Sequence, residues 1–88
     1  MKFKEEDFGK PISKELSELL KKFTTKNDVA DVSTATGVSI STIRDVKRRA
    51  NMLTAGNSVA IAELINIAKT NCNLEIETAE KSLKFLKL

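Results

Sequence analysis

Apolar residues recur along the chain in blocks with helical spacing, separated by short polar breaks. Ile12, Leu16, Leu19, Leu20 and Phe23 follow one another at intervals of four, three, one and three, and Pro11 suits a first helical turn, so an amphipathic helix is expected from there to Phe23. On its outer face Glu18 and Lys22 stand four apart, and Thr24 to Lys26 link it to the next element. A second helix is expected from a cap at Asn27 to about Thr36, with Val29 and Val32 inward and Asp28 and Asp31 near its positive end. Gly37 stops it, apolar Val38 tucks the turn into the core, and Ser39 caps a third helix with Ile43 and Val46 inward.

Beyond this lies a loop, Asn51 to Gly56, whose Met52 and Leu53 are expected to fold back over the two short helices. Asn57 or Ser58 then caps the most apolar stretch, Val59, Ile61, Ala62, Leu64, Ile65, Ile67 and Ala68, which predicts the central core helix. Its apolar face is wider than a surface helix needs, which allows a dimer contact there. Asn71, Cys72 and Asn73 read as a break. After it, Ile76, Ala79, Leu83 and Leu86 recur at three, four and three, with Glu77–Lys81 and Glu80–Lys84 as acid-before-base pairs. The segment predicts a fifth helix, although alternation around Leu74 and Ile76 leaves a short strand at 73–77 open. Residues 1–9 read as a flexible N-terminal arm, able to pack on a partner subunit or lie along DNA. The expectation is an all-α domain of about five helices over residues 10–88.

Composition narrows the class. Eighty-eight residues suffice for one domain with one modest core, and 31% charged residues of balanced sign do not make a disordered chain. No apolar run approaches a membrane span, and the N-terminus lacks the apolar stretch of a signal peptide, so the protein is expected in the cytoplasm without a membrane partner. The chain has one cysteine, Cys72, three glycines and no histidine. That composition argues against an internal disulfide, a zinc site, an imidazole base and a phosphate-cradling loop, and hence against an enzyme; no cofactor or small-molecule ligand is expected. Four Phe, without Tyr or Trp, weaken the case for a base-stacking binder of single strands or RNA.

Charge changes the picture most. Residues 1–36 carry seven lysines against seven acids, and residues 58–88 four lysines against four acids. The net +3 therefore comes from residues 37–57, where Arg44, Lys47, Arg48 and Arg49 face Asp45 alone. Every arginine lies on or just after the third helix. A basic run at a helix C-terminus also suits the dipole, yet this concentration favours a surface that meets DNA.

Residues 27–50 accordingly resemble the helix-turn-helix of DNA-binding proteins, and more narrowly the Cro and repressor family. The resemblance rests on small Ser33 four positions before the turn glycine, on Gly37 itself, on apolar Val38 after it, and on inward Ile43 and Val46. Thr36 stands where the family commonly has an apolar residue. The resemblance implies a small transcriptional regulator that inserts residues 40–49 into the major groove of double-stranded DNA. It also implies a homodimer on a two-fold operator, which the sequence itself does not show. By position, Ser39, Ile40, Ser41, Thr42, Arg44 and Asp45 are candidates for base edges and nearby phosphates, with Lys47, Arg48 and Arg49 on the backbone. Arg44 is the first choice for bidentate pairing with guanine. Two other readings stay open: a phage or mobile-element adaptor that docks a protein, and a recombination accessory factor.

Overall fold

The computed structural model describes residues 3–87, and the fold is all-helical. Four α-helices follow one another among the described residues: α1 (Lys14–Phe23), α2 (Lys26–Thr36), α3 (Ile40–Lys47) and α4 (Ala55–Leu86). A 3₁₀ turn, Glu5–Asp7, precedes them. The helix count is one fewer than expected because the fourth and fifth predicted helices are a single 32-residue element. There is no break at residues 71–73 and no strand at 73–77. Asparagine is a mediocre helix former, with a cost of about 0.5 kcal/mol that packing easily outweighs. Here the Asn71 amide donates to the Phe23 carbonyl at 2.7 Å and approaches Asp28 Oδ2 at 3.4 Å, so the supposed breaker joins α4 to the end of α1 and the start of α2.

Ser39 caps α3 as expected, whereas the other three helices start at a different hydroxyl from the residue read in the sequence. Ser13, not the region of Pro11, caps α1, by accepting the Leu16 N–H. Thr25 caps α2 in a reciprocal box with Asp28, which places Asn27 inside the helix. Thr54 caps α4 in a box with Asn57. The Asn57 amide further donates to the Met52 carbonyl, so buried Asn57 fixes the loop that leads into α4. In each case the hydroxyl satisfies an N–H that the first helical turn leaves without a partner.

The core forms where the first half of α4 meets the other three helices, all of which it contacts. Ala60, Ile61, Leu64, Ile65 and Ala68 of α4 close on Leu20, Val29, Val32, Ile43 and Val46, with Ile12 and Leu53 completing the cluster. Leu53 is buried as expected, whereas Met52, Leu19 and Val59 are about half exposed and add little to it. Phe3 and Phe8 pack against this cluster, and the backbone pairs across Gly9 N–H to Leu53 C=O and Leu53 N–H to Lys10 C=O. Within the segment read as an arm, Phe3 and Phe8 are thus the residues that rest on the core, while Lys4, Glu5, Glu6 and Gly9 are exposed. Beyond Cys72 every described residue of α4 is exposed. The molecule measures 52 × 25 × 20 Å, and its length matches the roughly 48 Å of a 32-residue helix.

Candidate nucleic-acid interface

The pair α2–α3 is joined by a three-residue turn whose geometry is fixed at each position. Gly37 has φ 76°, left-handed, and its N–H meets the Ser33 carbonyl at 2.9 Å. Thr36, the unusual residue before it, uses its hydroxyl in both directions: Oγ1 donates to the Val32 carbonyl and accepts the Val38 N–H. Val38 packs against the core cluster. Ser39 then caps α3 by accepting the Thr42 N–H at 3.2 Å, and its hydroxyl donates to Thr42 Oγ1 at 2.8 Å.

Ile43 and Val46 are fully buried and set the rotation of α3. Residues opposite them point outward: Ser41, Arg44 and Arg48 are exposed, and Asp45 stands beside them, half-buried. Asp45 pairs with Arg48 at 2.9 Å, a close approach without the alignment of a hydrogen bond. Arg44 has no ion-pair partner among the described residues. Ile40, 48% exposed, and Lys47 lie on the flank that faces α2.

That flank borders a shallow groove of about 480 Å³. Its floor is Val29 and Ile40, and its rim carries Lys21, Lys26, Arg44, Lys47 and Arg48. Five cations drawn from three helices therefore meet at one place. Burial lowers the Lys47 pKa from its ordinary value; Asp28 acts to raise it and Lys21 adds to the lowering. Lys21 and Lys26 were missed in the sequence because they belong to a charge-neutral segment. A lysine as the first residue of α2 runs against the helix dipole and was the available signal.

Arg49 leaves this row. Helix α3 ends at Lys47, two residues before the expected boundary, and Arg49 has φ 67°, left-handed for a non-glycine residue. The Arg49 N–H reaches the Val46 carbonyl and the Ala50 N–H the Asp45 carbonyl, the two bonds of a Schellman ending. Arg49 Nε donates to the Ile12 carbonyl at 2.7 Å, which ties the end of α3 to the segment before α1. A second tie comes from buried Ser17, whose hydroxyl donates to the Lys47 carbonyl at 2.6 Å. Of the nine residues singled out by sequence, Ser41, Arg44, Asp45 and Arg48 share the outward face, Ile40 and Lys47 share the groove, Ser39 and Thr42 bond to each other, and Arg49 turns back to the core.

Comparison with protein-family models, with curated proteins and with solved structures finds no match for this chain.

Proposed function

We propose that the protein binds double-stranded DNA in the manner of a small Cro/repressor-like transcriptional regulator, with α3 in the major groove. One observation carries the reading: the outward face of α3 presents Ser41, Arg44 and Arg48 beside a groove that gathers Lys21, Lys26 and Lys47. A helix of this width fits the major groove of B-form DNA, and serine and arginine can hydrogen-bond to base edges. Lysines on the flank, together with exposed Lys26 and Asn27 in the first turn of α2, suit the phosphates on either side. A phosphate brought to the groove would also offset the unfavourable burial that lowers the Lys47 pKa.

The roles separate by position. Arg44 is exposed, unpaired among the described residues and early enough in α3 to reach base edges, whereas Arg48 lies one turn later, at the helix end, held by Asp45. Selection from random duplexes supplies a preferred site, and gel shifts across a salt series then test the assignment. If each copy neutralises about four phosphates, log affinity should fall with log salt at a slope of about −3.6. Arg44→Ala should cost about 1–3 kcal/mol at the preferred site and relax one base pair, while Arg48→Ala should weaken all sequences alike and flatten the slope by about one. Retention of full affinity by both folded variants would remove α3 from the groove and favour the adaptor reading.

A further inference from the structure

Beyond Cys72 the helix α4 continues for four turns in which every described residue is exposed. An apolar stripe runs along it, with exposed Leu74 and Phe85 on the opposite face. Ile76, Ala79, Leu83 and Leu86 occupy alternate a and d positions of two heptads, and Ile76, Leu83 and Leu86 are 52%, 55% and 77% exposed. The stripe continues the face by which α4 packs on α1, because Cys72 borders an apolar groove there with Leu19, Phe23 and Ala68.

Charges along this segment are ordered. Glu75, Glu77 and Glu80 occupy its first half and Lys81, Lys84 and Lys87 its second. None of them closes an ion pair within its own helix; the Glu77–Lys81 and Glu80–Lys84 pairs expected from sequence are open, and among the described residues the ion pairs are Glu18–Lys21 and Asp45–Arg48. On the helical wheel Glu77, Glu80, Lys84 and Lys87 fall on one flank of the stripe, and Glu75 with Ser82 on the other. In a parallel pair each flank meets the opposite flank of its neighbour, which sets Glu75 against Glu80 twice and offers no attractive pair. In an antiparallel pair like flanks meet. With Ile76 opposite Leu86 of the second copy, Glu77 of one chain faces Lys84 of the other, twice by symmetry, and Glu80 lies between Lys84 and Lys87 of the second copy, with the second copy's Glu80 beside it as the one like-charge contact.

We propose that the C-terminal half of α4 is a self-association surface, on which a second copy of this chain docks in antiparallel orientation. Ile76 lies opposite Leu86 of the second copy and Ala79 opposite its Leu83. In this register each helix end stops just short of the other copy's core domain, because packing by α1 and α2 ends at Cys72. The contact is independent of DNA and is measured without it.

Light scattering and sedimentation equilibrium on the full chain test the contact. A monomer–dimer equilibrium is expected, and Leu83→Glu should raise its dissociation constant at least roughly tenfold. Leu83 is outside the core, so the melting curve of dilute protein should not move, which separates loss of docking from loss of folding. Orientation is read by oxidation in a Cys72→Ser background. Ser82→Cys, near the symmetry centre of the antiparallel pair, should cross-link faster than Ala79→Cys, which meets its own copy only in a parallel pair. A monomer throughout, a dimer indifferent to Leu83→Glu, or faster cross-linking through Ala79→Cys would overturn the proposal.

Discussion

Helix α3 and the C-terminal half of α4 are both exposed and charged, yet they are built in opposite ways. Eight residues of α3 are held by a capped start, two fully buried side chains, the Ser17 hydroxyl on its last carbonyl and the Arg49 guanidinium on Ile12. Fourteen residues of α4, from Asn73 to Leu86, are all exposed and bury no side chain in the core. Charge follows the same division. The outward face of α3 has an excess of one sign and offers it to an anion, whereas the α4 extension, with Lys87 at its cap, balances three acids with three lysines around an apolar stripe. A short helix becomes a rigid tool when its ends are tied, and a long one can leave a surface free when half of it bears the packing.

The contrast can be broken most forcefully at Ile43. It is completely buried under α4, and Ile43→Ala should lower stability by about 2–5 kcal/mol, read from urea unfolding. A cost near zero would mean that α3 is not seated as described. Gly37→Val comes next. A Cβ at Gly37 would meet nothing within 4 Å, so the expected loss of about 1–2 kcal/mol comes from forcing a β-branched residue into a left-handed backbone, and a melting curve checks it. Arg49→Ala should cost about 1 kcal/mol through the lost bond to Ile12, since alanine is no easier than arginine at positive φ. Measured beside Arg48→Ala, it should leave the salt slope of DNA binding nearly unchanged, which sharpens the line between the structural and the outward arginine. At the small end, Leu83→Ala should change the stability of dilute protein by less than about 0.5 kcal/mol.

Much of this organisation was legible in the chain, for physical reasons that also explain the gaps. Spacing placed Val29, Val32, Ile43 and Val46 inward, and Gly37 at the turn, because burial and positive φ each select a narrow set of residues. Caps were read one short step late: Asn27, Asn57 and Ser58 are good capping residues in isolation, but Thr25 and Thr54 find a side chain three positions on that bonds back. Arg49 and Asn71 escaped because their bonds reach Ile12 and Phe23, 37 and 48 residues away, a distance no local pattern spans. Lys21 and Lys26 joined the groove for the same reason: it takes the packing of α1 and α2 beside α3 to bring them there.

The unbroken passage of α4 from core to extension also fixes an angle. Each residue advances the helix by about 100°, so the direction in which the stripe of Ile76 and Leu83 faces, relative to Leu64 and Ala68 in the core, is set by counting residues between them. One residue inserted after Asn73 would swing the stripe by about 100° around the molecule while every side chain in it survived. Seven would bring it back to within about 20° and carry it about 10 Å farther out. The helix is thus a dial as well as a rod, and its reading is written in chain length instead of in any single residue.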